Sequence, residues 1–212
     1  MEDNIKKAST TNINFINKDK VSVRGNLYCG QNVKIDINTI FEGENRLGDN
    51  VEIHPNSIIR NCTIGNNSII KPYSLLEHSV IGDSCSIGPY SNIRSDCLID
   101  NLVNIGNFVE IKNSKIKSNT KINHMSFIGD ANIGENVIIG AGTITCNHDG
   151  KKHNSTTIKK NAYIGSGTKL IAPIVIGENS IIGAGSVITK NVPDNELVVV
   201  RSKQKSTIKW II

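Results

Sequence analysis

Aliphatic residues recur every six positions along most of this 212-residue chain. The spacing runs from about Val21 to Ile188, and six successive members are Ile81, Ile87, Ile93, Ile99, Ile105 and Ile111. An α-helix repeats every 3.6 residues and an alternating strand every two, so neither produces this period. Six residues per flat face and three faces per coil give a hexapeptide β-helix, in which each coil buries its isoleucines against the next. The spacing therefore predicts an all-β, single-domain parallel solenoid of about ten coils.

Two deviations from the period concern the corners of the prism. Four steps are five residues long, namely Ile59 to Ile64, Leu76 to Ile81, Ile111 to Ile116 and Ile128 to Ile133. Loss of a corner residue shortens a coil from 18 residues to 17 without moving its isoleucine out of the core. Glycine often follows the aliphatic residue directly, and we expect positive φ at these glycines. They are Gly82, Gly88, Gly106, Gly134, Gly140, Gly165, Gly177 and Gly183.

The period also divides the chain. Residues 1–20 are polar and off the period, which is typical of a lead-in or linker. Residues 21–192 form the predicted β-helix, and residues 193–212, which begin with a proline, form a C-terminal arm. The thirteen residues TCNHDGKKHNSTT interrupt the period and predict an insert loop at 145–157. A solenoid tolerates such a loop because it can leave at a corner without disturbing the stack.

Composition narrows the compartment and the partners. Aromatic residues make up only 4% of the chain, but a prism filled with isoleucine needs none. The net charge of +5 favours an anionic partner, yet no basic run is interleaved with aromatics, so nucleic acid is not expected. No apolar segment resembles a signal peptide or a membrane span. The five cysteines include no CxxC pair, and Cys85 and Cys97 fall on the inward position, so we expect reduced thiols and a cytoplasmic protein.

Two stacked cations give the first candidate site. Arg94 and Lys112 are 18 residues apart, so they occupy the same position in successive coils, with backbones about 4.8 Å apart. Two adjacent cations repel each other unless an anion lies between them, and a phosphate would satisfy both. A basic residue is nevertheless common at this hexad position, which is also occupied by Arg60, Lys71, Lys117 and Lys159. Spacing alone leaves open both a phosphate site and an ordinary basic surface.

Three histidines give the second candidate. His124 lies at a predicted corner, where it is either a surface residue or a base. His148 and His153 in the insert have HxxxxH spacing, and together with His124 they would provide a three-histidine zinc site of the kind found in gamma-type carbonic anhydrases. The insert itself is compatible with a binding loop or with a solvated bulge. No nucleophile-elbow, P-loop or dinucleotide-binding motif occurs.

Three segments carry a resemblance to one family. They are IGNFVEIKNS (105–114), NHMSFIGDANIGENVIIGAGTITCNHDG (123–150) and YIGSGTKLIAPIVIG (163–177). They resemble the acetyltransferase half of the bifunctional N-acetylglucosamine-1-phosphate uridyltransferase/glucosamine-1-phosphate N-acetyltransferase, and the likeness covers nearly the whole chain from about residue 21. The resemblance implies a left-handed coil and a homotrimer with active sites between prisms. It also implies acetyl-CoA as cosubstrate, no permanently bound cofactor or metal, and glucosamine 1-phosphate as the acceptor in cell-envelope precursor synthesis.

The resemblance assigns roles by motif position. His124 in NHMSF matches the catalytic base, and Arg94 and Lys112 match a phosphate-binding pair. Asn147 in TCN matches a residue that helps to hold both substrates, and Trp210 matches a tryptophan that covers a neighbour's site. The positions that match the acetyl-CoA site are Ala141, His148, Ser166, Ala184 and Arg201.

The acceptor side departs from the family pattern. Phe127 and His148 stand where tyrosine is usual, Ile138 replaces an asparagine that contacts the sugar, and His153 replaces a lysine that binds the phosphate. We therefore expect acetyl transfer to be retained. Transfer to a different amino sugar and a non-enzymatic solenoid remnant are the alternatives.

The nucleotide-binding half of the family has no counterpart in this sequence. No glycine-rich LxxGxGTRM motif occurs anywhere in it. We expect no uridyltransferase activity from this chain, and a separate uridyltransferase as a possible partner.

Overall fold

The chain folds as a parallel β-helix of about ten coils with three flat faces, as the six-residue period predicts. The computed structural model describes residues 5–7 and 13–207. Most coils contribute one short strand to each face, and these strands pair in parallel with their counterparts in the adjacent coils, as β7 does with strands on both sides. Faces one and two are joined in an 18-stranded sheet, because two strands continue around the corner, and face three is an 11-stranded sheet.

The strands are numbered in chain order. The two that continue from face one to face two are β3 Ser22–Cys29 and β5 Ile40–Leu47. The others on face one are β7 Ile58–Arg60, β10 Leu75–Glu77, β13 Asn92–Ile93, β16 Glu110–Lys112, β19 Phe127–Gly129, β22 Ile144–Cys146, β25 Lys169–Ile171 and β28 Val187–Ile188. The others on face two are β1 Ile5–Lys7, β8 Thr63–Ile64, β11 Val80–Ile81, β14 Leu98–Ile99, β17 Lys115–Ile116, β20 Ala131–Ile133, β23 Thr156–Ile158 and β26 Ile174–Ile176. Face three consists of β2 Ile13–Phe15, β4 Val33–Ile35, β6 Glu52–Ile53, β9 Ile69–Ile70, β12 Ser86–Ile87, β15 Asn104–Asn107, β18 Lys121–His124, β21 Ile138–Ile139, β24 Tyr163–Ile164, β27 Ile181–Ile182 and β29 Leu197–Val198.

The core is the stack of inward aliphatic side chains. Ile59, Ile87 and Ile111 are each fully buried between their counterparts in adjacent coils. Cys85 and Cys97 are also buried there, as predicted, and all five cysteines are free. Burial raises the pKa of both buried thiols, so they remain protonated packing groups rather than nucleophiles.

The short coils lie where the five-residue steps predict them. Ile58 pairs with Ile40, eighteen residues earlier, whereas Leu75 pairs with Ile58, seventeen residues earlier. The lost residue comes from the corner between face one and face two, so the inward isoleucines stay in register.

The predicted positive φ at the glycines after the aliphatic residues is wrong for all of them except Gly88. These glycines are required for close stacking. A Cβ at Gly165 would lie 2.4 Å from the backbone nitrogen of Ala184 in the next coil, closer than any side chain can pack. Positive φ falls instead two positions after these glycines, on Ser84, Tyr90, Phe108, Asn136, Gly142, Gly167, Asn179 and Gly185. At the corner between face two and face three the positive-φ residues are mostly asparagine, which tolerates that conformation, and they are Asn32, Asn50, Asn67, Ser84, Leu102, Asn119, Asn136, Asn161, Asn179 and Asn195.

The solenoid extends beyond its predicted bounds of 21 and 192. The short strands β1 and β2 of the predicted lead-in pair with β3 and β4, and Ile13 and Phe15 pack against the core. At the other end β29 pairs with β27. A three-residue strand is too short to display a six-residue period, so neither end was recognisable from spacing.

The insert is narrower than predicted. Thr145 pairs with Leu170, and Thr157 pairs with Asn132, so both belong to strands rather than to a loop. The loop therefore comprises residues 147–155 and leaves at the corner between face one and face two. Within the part of the chain that the structure covers, no helix has the length and apolar character that a bilayer crossing requires.

Candidate active site

His124 ends β18 at the corner between face three and face one. Its ring is exposed, and Nδ1 lies 2.7 Å from Oδ1 of Asn107, the residue beside it in β15. Asn107 follows from the seventeen-residue register but was not singled out from the sequence. An exposed imidazole held at one nitrogen can exchange a proton with a molecule at this corner through the other.

A column of charged residues marks the opposite edge of face one. Its first members alternate in sign from coil to coil, in the order Arg24, Glu42, Arg60 and Glu77. Arg60 hydrogen-bonds to Glu42 above it and, at 2.6 Å, to Glu77 below it. The hydrogen bond from Arg60 is the largest of the effects that lower the pKa of Glu42. The positive and negative charges of this column therefore cancel one another over these four coils.

The alternation breaks at the two residues predicted to bind phosphate. Arg94 and Lys112 follow in the same column, since Ile93 pairs with Ile111, so two cations are adjacent as expected. Arg94 binds Glu110 from the neighbouring column at 2.8 Å, which raises its pKa. Among residues 5–7 and 13–207, Lys112 has no carboxylate within ion-pair distance. The next position in the column is Gly129, which carries no charge and is covered by the side chains of Phe127 and Asn147.

Asp130 anchors the insert loop at the corner between face one and face two. Its carboxylate accepts hydrogen bonds from Asn113 at 2.6 Å, from Asn147 at 2.5 Å and from Nδ1 of His153 at 2.9 Å. Burial raises the pKa of Asp130, but these three hydrogen bonds outweigh it and hold the pKa below its usual value. Asn147 is buried, whereas the predicted phosphate ligand His153 is held by Asp130. Sequence reasoning missed Asp130, although it belongs to the GDA segment of the resemblance.

The zinc site proposed as an alternative does not form. The rings of His148 and His153 are 4.9 Å apart, but His124 lies at a different corner of the prism. Within the described ranges no group of three or more histidine, cysteine, aspartate or glutamate side chains could hold a metal ion.

Three of the predicted acetyl-CoA residues form a strip. Ala141, Ser166 and Ala184 occupy equivalent positions in successive coils beside the corner between face three and face one. The corner residues that follow them are Gly142, Gly167 and Gly185, with φ of +74°, +74° and +73°. These three pairs of residues, 141–142, 166–167 and 184–185, are called the glycine strip. No large side chain of their own covers the backbone there, which allows a ligand to approach closely.

Two basic side chains border this glycine strip. A Cβ at Gly185 would lie 3.7 Å from Cδ of Arg201, so the predicted CoA-binding arginine is brought to the strip. Nζ of Lys169 hydrogen-bonds to the carbonyl oxygens of Gly142 and Gly167, each at 3.1 Å. Nothing in the sequence pattern pointed to Lys169.

The predicted residues therefore fall into two groups on one protomer. His124 and the glycine strip lie at the corner between face three and face one, and Ile138 lies nearby on face three. Lys112, Asn147 and His153 lie at the opposite edge of face one, beside face two. Phe127 begins face one between them. At about 3.3 Å per residue the two edges are roughly 15 Å apart, farther than one sugar phosphate reaches. Trp210 lies outside the described residues.

Family models match two parts of the chain. Residues 23–103 match the model of the GMPPB C-terminal domain, and residues 155–190 match the bacterial transferase hexapeptide model of six repeats. A UDP-N-acetylglucosamine acyltransferase of known structure superposes with a TM-score of 0.50 at 16% identity, covering 90% of this chain and 71% of that one. At that identity the likeness concerns the fold alone.

Curated relatives match almost the whole chain. The bifunctional protein GlmU of Nitrosomonas eutropha is 48% identical over 196 residues, which cover 92% of this chain and 43% of the relative. GlmU of Marinomonas sp. is 46% identical with the same coverage, and GlmU of Azoarcus sp. is 43% identical over 198 residues, covering 93% and 44%. The chain thus spans less than half the length of the relatives that it matches.

Proposed function

This chain belongs with the C-terminal, hexapeptide-repeat part of the GlmU family, and we propose that it transfers acetyl from acetyl-CoA to the amine of glucosamine 1-phosphate. The product would be N-acetylglucosamine 1-phosphate, a precursor for UDP-N-acetylglucosamine and the cell envelope. The observation that carries the proposal is the break in the charge column. Arg94 and Lys112 are adjacent cations in a column whose earlier charges are paired with one another and whose later residues are uncharged, and a sugar phosphate is the anion that this arrangement favours.

The chemistry proposed for His124 is that of a general base. The sugar amine attacks the thioester carbonyl of acetyl-CoA while Nε2 of His124 takes the proton from the amine nitrogen. The carbon–sulfur bond then breaks, and CoA leaves as a thiolate that regains the proton from the imidazolium. The exposed hydroxyl of Ser166 lies on the glycine strip, where it can donate a hydrogen bond to the carbonyl oxygen as negative charge develops.

We infer a homotrimer, because one protomer does not complete the site. His124 and the glycine strip are separated from Lys112 by the width of face one, so the acceptor would be held by one prism and deprotonated by the next. Hexapeptide transferases are typically trimers. Light scattering at micromolar concentration should give three times the 23.1 kDa chain mass, and a monomer that is fully active would contradict the shared site.

Transfer to a different amino sugar is the second candidate. It is favoured by the state of the acceptor residues: His153 is bound to Asp130, Phe127 has no hydroxyl, and Ile138 presents an exposed apolar side chain. Either reaction would take place in the cytoplasm, where five free cysteines are stable.

A thiol-release assay tests the proposal. With acetyl-CoA and a panel of amino sugars, CoA release should require an amino sugar phosphate, with glucosamine 1-phosphate preferred over glucosamine. His124→Ala should lower kcat by about 10²-fold or more while the trimer stays folded. Preference for a sugar without phosphate would select the second candidate, and near-normal turnover by the folded His124→Ala trimer would rule out His124 as the base.

A further inference from the structure

The ring of His124 is held at one nitrogen by a neutral amide. The 2.7 Å contact between Nδ1 and Oδ1 of Asn107 joins two residues that are direct register partners in β15 and β18. The backbone carbonyl of Asn107 accepts a hydrogen bond from the nitrogen of Met125 at 3.0 Å, so this residue is fixed to the same corner as His124. In the described part of the chain, no second side chain hydrogen-bonds to the His124 ring.

We propose that Asn107 is a positioning residue that fixes the tautomer and the orientation of the His124 ring. The inference rests on the proposed acetyl transfer. An amide oxygen only accepts, so the hydrogen of the neutral ring sits on Nδ1, and Nε2 carries the lone pair. Nε2 is therefore the nitrogen that takes the proton from the acceptor amine, and it points away from β15 into the open corner.

The neutrality of the amide is the second part of the proposal. A carboxylate at this distance would stabilise the imidazolium, and a base that holds its proton more tightly is free to act only at higher pH. Lys121 in β18 and Glu110 and Lys112 in β16 are the titratable groups on the surrounding strands, and Glu110 is already paired with Arg94. Strands β15, β19 and β21 contain none. The neutral amide bonded to Nδ1 thus orients the ring without placing a charge beside it.

Two substitutions at Asn107 separate positioning from charge. Asn107→Leu removes the acceptor, so kcat should fall by roughly 10- to 100-fold, the range for losing a residue that orients a histidine, with both KM values unchanged. Asn107→Asp has the same shape and keeps the acceptor, so kcat should recover at high pH. The acidic limb of its kcat profile should move to higher pH by about one unit.

Asn104 provides the matched control. It lies on the same strand and face as Asn107, and its register partner is Lys121 rather than His124. Asn104→Leu and Asn104→Asp should each leave kcat and its pH profile close to the wild type. A profile that moves equally for both aspartate variants would point to a general charge effect and would overturn the positioning role, as would an Asn107→Leu enzyme with normal kcat.

The tautomer can be read without any turnover. In a proton–nitrogen correlation spectrum of the ¹⁵N-histidine-labelled trimer, neutral His124 should show the hydrogen on Nδ1 in the wild type and in Asn107→Asp, and a mixture of tautomers in Asn107→Leu. A hydrogen on Nε2 in the wild type would mean that the Asn107 amide donates instead, and would refute the inference. The predicted tautomer in a protein without acetyl transfer would support Asn107 and refute only the proposed function.

Discussion

Coils one to four (residues 22–91) and coils seven to ten (residues 127–200) differ in two columns of surface residues. One column runs along the far edge of face one, and the other runs along the corner between face three and face one. In the early coils the edge of face one alternates in charge and is neutralised, with Arg60 bonded to acidic residues above and below. In the late coils that column continues as Gly129, Cys146 and Ile171, without charge. Coils five and six lie between the two regimes, and they contain Arg94, Lys112 and His124.

The corner between face three and face one changes in the same direction. Its positive-φ residues in coils three and four are Tyr73 and Tyr90, whose rings stack with centroids 4.9 Å apart. The equivalent residues of coils seven to nine are glycines. A side chain at positive φ costs roughly 1–2 kcal/mol, so the tyrosines keep the corner covered against a backbone preference that the glycines satisfy. The candidate site of this repeat fold thus lies where the edge charges are no longer paired with one another and the corner side chains give way to glycine.

The charge column allows the largest test of this difference. Lys112→Met removes one of the two adjacent cations, and losing a hydrogen bond to a charged group costs roughly 1.5–3 kcal/mol. The KM for glucosamine 1-phosphate should therefore rise by about 10- to 100-fold, with no change in the KM for acetyl-CoA. Steady-state kinetics with each substrate varied in turn would measure both values.

Arg60→Met is the matched control from the early coils. It should lower the Tm, because Glu42 and Glu77 lose their shared partner, and leave the acceptor KM unchanged. Equal changes in KM for the two variants would mean that the break in alternation has no role in binding the acceptor.

The column of positive-φ residues at the corner between face three and face one should give a smaller effect. Gly167→Tyr copies into coil eight the residue that coils three and four already carry at this position, and the nearest backbone atom is 3.8 Å from a Cβ there. The protein should fold, and the side chain should cover the glycine strip. We expect the KM for acetyl-CoA to rise about tenfold, equivalent to about 1.4 kcal/mol, without an effect on the acceptor KM.

The reverse exchange is the control for this prediction. Tyr73→Gly uncovers the same corner in coil three, far from the strip, and should change neither KM. An unaltered KM for acetyl-CoA in a folded Gly167→Tyr trimer would remove the glycine strip from the acetyl-CoA site.

Periodicity was sufficient for backbone register and insufficient for side-chain pairing. Counting by 17 or 18 places Arg94 above Lys112, because stacking in a solenoid depends only on sequence distance. The same count places Asn107 beside His124, but whether the two side chains meet depends on rotamers that spacing does not determine. The left-handed coil came from family resemblance alone. The stacking role of Gly165 was missed because the same residue type also suits positive φ.

The insert loop shows the same limit, since its place was visible as a gap in the period but its exact bounds and its anchor were not. Asp130 lies 23 residues before His153, and only the folded path of the loop brings them together. The functional assignments followed from motif words such as NHMSF and TCN, which carry more information than a hexad position. The hydrogen bonds of Asp130, and not its spacing, identify it as the anchor.

The last test concerns the acid sensitivity of this anchor, which distinguishes the late coils from the early ones. The pKa of Asp130 lies below its usual value, and the pKa of Asp149 is lowered by hydrogen bonds from the backbone nitrogen of Lys152, the side chain of Asn154 and the backbone nitrogen of Lys151. A carboxyl with a depressed pKa contributes stability that is complete above its unfolded pKa of about 3.9 and is lost as the pH falls through the folded value. The loop should therefore keep constant hydrogen-exchange protection from pH 8 to pH 5 and lose it below about pH 4.

Asp130→Asn, which cannot ionise, should show reduced protection of residues 147–155 already at pH 7, by about 1–2 kcal/mol, and a smaller further loss in acid. Asp96→Asn, two coils earlier in the same corner column and outside the loop contacts, should behave as the wild type. Equal protection of the loop in all three proteins at pH 7 would show that the insert is held by its own internal hydrogen bonds and not by Asp130.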